Sequence, residues 1–255
     1  MSDGSYGAQL ERLILDAWPA RTRGVLNGWT VLADAGVTGR VNAVAPLAFD
    51  AGVDLDNAID AAVAWQSARS IRPCFKIANG CCFPASLPDT LAHRGWRSLN
   101  ETLVMTAPLV DAIAHLPSPT GLVLSADYGP AIDAIIRDTA ASDAEYAERS
   151  AIAARTPQPR QFAMLTRGGA TAAVGLTVVT GAWAAIFLMR THPPHRRQGL
   201  AHDILAALAE WAKTAGATHA YLQVEAANAP AIALFRAAAF ETAYSYSYWR
   251  PETKP

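Results

Sequence analysis

The stretch Met189-Arg190-Thr191-His192-Pro193-Pro194-His195-Arg196-Arg197-Gln198-Gly199-Leu200-Ala201-His202 is where residue types and spacing first point to chemistry. An apolar run gives way to two prolines and two arginines, then to glycine and a small residue at the head of a helical pattern. The first amides of a helix have no acceptor within it and sit at the positive end of its dipole, so they attract anions. Glycine there lets a ligand approach the backbone, and Arg196 and Arg197 add the fixed charge that a diphosphate requires. The spacing lacks the Gly-Lys-Ser/Thr of a nucleotide P-loop and the G-x-G-x-x-G of a dinucleotide site.

Several elements must hold this stretch in place. Residues 161–166, 171–179 and 183–191 are apolar and partly β-branched, with Arg167-Gly168-Gly169 and Thr180-Gly181 between them, which predicts an antiparallel three-strand meander. Beyond the loop, Leu200, Ile204, Leu208, Trp211 and Ala215 recur at helical spacing, and Gly216 stands where a left-handed cap belongs. A strand is expected over 220–225, a short helix over 230–238 with proline in its first turn, and a last strand over 240–249. Upstream, Tyr128-Gly129-Pro130 opens a helix through Ile132, Ile135 and Ile136, and Ser142-Asp143-Ala144-Glu145 caps a second one reaching about residue 154.

Leu116-Pro117-Ser118-Pro119-Thr120-Gly121 disfavours both helix and sheet, so two domains are expected, 1–118 and 119–255. The first domain carries an Asn27-Gly28 turn before a strand at 29–33, an amphipathic helix over 54–67, a strand over 74–78, a short helix over 87–94 and a strand over 99–106. Leu91-Ala92-His93-Arg94-Gly95-Trp96 aligns without gaps on Phe235-Arg236-Ala237-Ala238-Ala239-Phe240, which suggests two diverged copies of one unit. The expected fold class is α/β of the α+β kind, a mixed and mostly antiparallel sheet flanked by helices.

Composition sets outer bounds. The 255 residues are 51% hydrophobic and 17% charged, which excludes a disordered or collagenous chain and is long enough for two cores. A net charge of -1 supplies no global field for nucleic acid or anionic lipid. Met1-Ser2-Asp3-Gly4-Ser5 has no basic stretch leading into an apolar one, and the longest apolar run, 182–189, is too short to span a bilayer, so a cytoplasmic protein without membrane attachment is expected. Cys74, Cys81 and Cys82 have neither disulfide nor metal spacing and read as small buried side chains; no metal site is expected.

Pro193-x-x-Arg196-x-x-Gly199-x-Ala201, followed by Asn228-x-x-Ala231-x-x-Leu234-Phe235-x-x-x-Ala239-Phe240, resembles the two motifs of the GNAT superfamily of acyl-CoA N-acyltransferases, over roughly residues 122–250. The amino-terminal half resembles the degenerate GNAT-like domain of tandem members, without a phosphate loop. The resemblance implies acetyl-CoA as co-substrate, transfer to an amine by direct attack in a ternary complex, and no metal. It implies that the strand bearing Met189, Arg190 and Thr191 splays from its neighbour and offers amides to the pantetheine arm and thioester carbonyl. By the same resemblance the amides from Arg197 through Gln198, Gly199 and Leu200 to Ala201 hold the pyrophosphate beside Arg196, with His202 at its edge. Asn228 then bonds the pantetheine or caps a helix, and Phe235 lines the cofactor.

An attacking amine must shed a proton. Gln223 and Glu225 share a strand face, and Glu225 is the candidate base, with His192 as a second. Related enzymes often carry a carboxylate at the position of Gln223 and a tyrosine at that of Phe235, so the departing thiolate takes its proton from solvent or from a phenol of the last strand, among which Tyr248 is the candidate acid. Ala239 replaces the family's usual glycine, so a negative φ is expected there. Asp127, Asp133, Asp138, Asp143, Glu145 and Glu148 outnumber Arg137 and Arg149 on the two helices bordering the acceptor side in such enzymes, which favours a cationic small-molecule or peptide amine. The alternative function is a non-catalytic acyl-CoA-binding or regulatory module.

Overall fold

The structure, a computed structural model, describes residues 4–118 and 121–252. Pro119 and Thr120 of the expected boundary, Met1 to Asp3 of the amino terminus, and the last three residues lie outside the described part. In chain order the elements are α1 (Gly4–Ala17), β1 (Thr22–Leu26), β2 (Trp29–Ala33), β3 (Val44–Ala45), α2 (Leu55–Ser67), β4 (Phe75–Ala78), α3 (Leu87–His93) and β5 (Trp96–Pro108). Then follow α4 (Leu109–Ala114), β6 (Leu122–Ser125), α5 (Pro130–Thr139), α6 (Asp143–Arg155), β7 (Arg160–Arg167), β8 (Ala170–Thr180) and β9 (Trp183–Thr191). The chain ends with α7 (Leu200–Thr214), β10 (His219–Glu225), α8 (Ala229–Ala237) and β11 (Glu241–Pro251). Most pairings are antiparallel; β3 with β4 and β9 with β10 are parallel.

Contacts divide the chain into two compact units. The first takes Met1–Leu103, Glu225–Ala227 and Ala243–Pro255, and the second Val104–Val224 and Asn228–Thr242. The stretch around residue 118 therefore falls inside the second unit, and the last strand belongs with the first. That division follows pairing: Tyr246 stands opposite Ala78, and Tyr248 opposite Lys76, so β11 completes the first unit's sheet.

Within the first unit the strands run β1-β2-β3-β4-β11-β5. Asn27 and Gly28 both take positive φ, 53° and 84°, and close the β1–β2 hairpin as the Asn-Gly pair predicts. Alternation along β4 separates two layers. Phe75 and Ile77 face an apolar core with Trp29, Ile59, Leu87, Leu91 and Trp96. Lys76 faces the other way, where its ammonium meets the buried Glu11 carboxylate of α1 at 2.6 Å and lies over the Tyr246 ring. Tyr244 donates to the same carboxylate at 2.8 Å. Cys74, Cys81 and Cys82 are free thiols of this unit, and burial raises all three, Cys82 to about 12, so none is a thiolate near neutrality.

The second unit's sheet runs β5-β10-β9-β8-β7-β6. Ser142 caps α6 by accepting from the Glu145 amide, while the Glu145 carboxylate accepts from the Ala141 amide at 2.9 Å, a near capping box. On β8, Gly175 leaves room for α7: a Cβ there would lie 2.6 Å from Ile204, 2.8 Å from Leu208 and 2.9 Å from the Met189 sulfur. The turn aligned between the two halves recurs in the backbone. Gly95 has φ 77° and Ala239 has φ 61°, each ending a short helix before a buried aromatic, Trp96 or Phe240. The expectation of a negative φ at Ala239 is thus overturned. The Ala239 amide bonds the Arg236 carbonyl and the Phe240 amide bonds the Phe235 carbonyl, and this helix-ending pattern holds the residue left-handed despite its methyl group.

Candidate active site

The site forms where two parallel strands part. The β9–β10 ladder runs from Trp183 opposite His219 to Ile186 opposite Leu222, yet β9 continues to Thr191 and β10 to Glu225. The cause lies two residues past the last pair. Leu188 takes φ 52°, and the β8–β9 register shifts between Val174 and Leu176. A left-handed leucine costs roughly 1–2 kcal/mol, which the surrounding ladder must hold in place. Beyond the bulge, the His192 amide bonds the Ala172 carbonyl of β8. Because amides alternate along a strand, those of Met189 and Thr191 point the other way, into the parting.

At the end of β9 the chain makes a single 3₁₀ turn, Pro193–His195, and enters α7 through two left-handed residues, Arg197 at 63° and Gly199 at 79°. Gly199 is the N-cap and offers no side chain to the helix, and nothing lies within 4 Å of where its Cβ would be. The first bonds of the helix run from the His202 and Asp203 amides to the Gly199 carbonyl. Among the described residues the amides of Arg197, Gln198, Gly199, Leu200 and Ala201 have no acceptor. Arg196 and Arg197 are exposed; Arg196 Nε approaches the Thr191 carbonyl at 3.4 Å, and Gln198 donates to the Pro194 carbonyl. Open space, unsatisfied donors and two cations fit the diphosphate of coenzyme A. By contrast α2 caps itself: the Asp54 carboxylate accepts from the Asn57 amide at 2.9 Å and brings negative charge where an anion would sit.

The remaining site residues are distributed as follows. Met189 to His202, Asn228 and Phe235 belong to the second unit, and Glu225 and Tyr248 to the first. The Arg190 guanidinium bonds the Thr139 carbonyl at 2.8 Å and lies 3.7 Å from Glu145, so its side chain serves the α5–α6 junction. His192 Nε2 stands 3.9 Å from the Asp138 carboxylate. Asn228 caps α8, accepting from the Ala231 amide at 3.3 Å. Phe235 is buried against Phe240, with ring centres 6.1 Å apart. Glu225 is exposed at the tip of β10, with no ion pair among the described residues, and Gln223 is half-buried two residues before it. Burial, with the neighbouring Tyr246, raises the Tyr248 phenol well above its ordinary value despite Arg40, and its ring packs on Gly39.

Half of the acidic residues expected to border the acceptor side are taken up within the protein. Asp133 accepts from the hydroxyls of Tyr128 at 2.7 Å and Tyr146 at 2.8 Å and pairs with Arg137. Burial opposes its ionisation, but these bonds prevail and hold its carboxyl below the usual range. Glu145 is likewise lowered: the Ala141 amide, Arg149 and Arg190 outweigh burial. Glu148 is buried. Asp127, Asp138 and Asp143 remain exposed. Sequence reading counts charges but misses the tyrosine hydroxyls and the distant Arg190 that absorb them.

A meander whose last strand parts from a parallel neighbour, at the head of an arginine- and glycine-led helix, defines a GNAT-type acyl-CoA N-acyltransferase. Residues 8–249 match the family described as "probable histone acetyltransferase Rv0428c C-terminal", and the chain belongs to that family. It is 26% identical over 243 residues to the uncharacterized N-acetyltransferase YobR of Bacillus subtilis (strain 168), a match covering 94% of this chain and 96% of that protein. A GCN5-related N-acetyltransferase from Kribbella flavida superposes with TM-score 0.69 at 17% identity, over 100% of this chain and 96% of that one. A tandem GNAT protein from the clavulanic acid biosynthesis pathway gives TM-score 0.65 at 16% identity, over 96% and 88%. The chain is thus a GNAT N-acetyltransferase, and enzymes of this fold use acetyl-CoA as co-substrate. Among the described residues no side-chain group could hold a metal ion, and no helix is long and apolar enough to cross a membrane.

Proposed function

We propose that the second unit binds acetyl-CoA across the β9–β10 parting and passes the acetyl group directly to an amine of a small molecule or peptide in a ternary complex. The observation that carries this reading is the run of five acceptorless amides from Arg197 to Ala201, one turn beyond strand amides that face a gap. In this reading Arg196, Arg197 and the α7 amides hold the diphosphate, with His202 at its edge. Met189 and Thr191 bond the pantetheine and the thioester carbonyl, and Asn228 and Phe235 shape the far side. Bound acetyl-CoA supplies the activated acyl group. Glu225 receives the amine's proton, directly or through water, because its carboxylate is exposed and unpaired at the end of the diverging strand. His192, steadied by Asp138, is the second proton acceptor at the loop. Solvent protonates the departing thiolate, in keeping with a Tyr248 phenol that burial and Tyr246 raise well above its ordinary value. The first unit, with Asp54 capping α2, binds no acyl-CoA.

Thermal unfolding with and without acetyl-CoA tests the cofactor. A ligand at about 100 times its Kd stabilises by roughly 2.7 kcal/mol, a shift of several degrees. Release of free CoA thiol across an amine panel then tests transfer. No shift at millimolar acetyl-CoA refutes the reading, and a shift without thiol release on any amine leaves a binding module.

A further inference from the structure

The tail of β9 is gripped on both faces. On one, the Met189 side chain lies with Ile204 and Leu208 of α7 over the space that Gly175 leaves open. On the other, Arg190 reaches the Thr139 carbonyl at the end of α5 and the Glu145 carboxylate in the first turn of α6. That carboxylate is itself fixed, by the Ala141 amide at 2.9 Å and by Arg149 at 2.6 Å. Arg190 lies between the two residues whose amides face the parting, so any rotation of its backbone turns those amides. The strained Leu188 just upstream leaves this tail without a ladder on its β10 side.

We propose that Arg190 is a positioning residue for the transfer reaction: anchored by Thr139 and Glu145, it sets the direction of the Met189 and Thr191 amides toward the acyl carbonyl and does not itself bind the cofactor. This rests on the acetyl-CoA reading above and assigns to the α5–α6 junction a part in aiming the oxyanion donors. Such aiming is sensitive, since a misplacement of about 1 Å costs up to about 100-fold in rate. The diphosphate loop is anchored separately, at the N-terminus of α7, so binding of the CoA moiety should not depend on Arg190.

The test compares the affinities of acetyl-CoA and free CoA, by calorimetry, with steady-state kinetics, for the full chain and for Arg190→Ala, Arg190→Lys and Glu145→Gln. One aimed amide bond to the acyl carbonyl gives the parent an acetyl-CoA preference of about 3- to 10-fold. In Arg190→Ala that preference should vanish and kcat fall by about 10- to 100-fold, while CoA affinity stays within about 3-fold and the KM for acetyl-CoA rises by no more than the lost preference, about 3- to 10-fold. Arg190→Lys, which keeps a donor for the Thr139 carbonyl, should recover part of kcat, and Glu145→Gln should shift both readouts the same way by less. Unchanged kcat in Arg190→Ala, or equal loss of CoA and acetyl-CoA affinity, overturns the proposal. Failure of the parent to bind either compound overturns the acetyl-CoA reading, a result distinct from both.

Discussion

Gly175→Ala probes the packing that carries both halves of the site. The added methyl carbon would sit 2.6 Å from Ile204, 2.8 Å from Leu208 and 2.9 Å from the Met189 sulfur. Ordinary carbon contacts lie at about 3.5–4.0 Å, so each neighbour must retreat by roughly 1 Å. Ile204 and Leu208 are fully buried, so the retreat falls on α7 and the β9 tail together. Overpacking of this kind costs about 1–3 kcal/mol, less the 0.5–1 kcal/mol or so that alanine gains over glycine within a strand. A net loss of about 1–2 kcal/mol lowers Tm by roughly 2–8 °C in a chain of this size. Because the same displacement moves the α7 amides and those of Met189 and Thr191, acetyl-CoA affinity should drop by about 10-fold or more. Calorimetric unfolding and titration with acetyl-CoA measure both. Gly24→Ala in β1 is the control, since its Cβ meets only Val31, at 3.4 Å, and it should leave both readouts near the parent values. A Gly175→Ala protein as stable as the parent and equally able to bind acetyl-CoA would refute the reasoning.

Ala239→Gly should stabilise the chain by about 0.5–1 kcal/mol in denaturant melts, because the 61° φ penalises alanine by more than glycine loses in entropy. Lys76→Met alone strands the buried Glu11 and should cost about 3–5 kcal/mol, while Glu11→Leu with Lys76→Met should regain most of that in the same melts. Asp133, with a lowered carboxyl pKa, stabilises above its unfolded value and loses that contribution as pH falls through the folded one. Asp133→Asn should therefore weaken the chain at neutral pH and flatten its loss of stability as pH falls through and below the ordinary carboxylate range, followed by Tm against pH.

Local signals made much of the second unit readable. Thr180-Gly181 and the Pro193-Pro194 pair bracket β9 at its observed ends, and Ser142 caps α6 as its spacing from Glu145 requires. The first unit was harder. Its first helix, α1, went unread although Leu10, Ile14 and Ala17 stand at helical spacing, and β1, like β6 of the second unit, is a short edge strand with exposed apolar residues (Val25; Val123 and Leu124) and no buried alternation. The loop residues from Arg196 to Ala201 could be read because anion binding by a helix N-terminus needs only consecutive residues. The aim of the gap amides could not, since it depends on a left-handed leucine and on an arginine bonded to a carbonyl 51 positions away. The surroundings of Tyr248 are hidden in the same way, since they come from Gly39, Arg40 and Lys76, at the far end of the chain.

The placement of β11 in the first unit also orders events during synthesis. Asn79 beside β4 and Ser245 within β11 are bonded to each other at a separation of 166 residues. At ribosomal speeds of about 5–20 residues per second, roughly 10–30 s pass between their emergence. Throughout that interval β4 has a vacant edge and Glu11 lacks Tyr244, so the nascent first unit is an open sheet in need of protection. The chain's opening third thus cannot close its sheet until nearly the whole chain is made, and a message truncated before β11 leaves β4 without its partner strand.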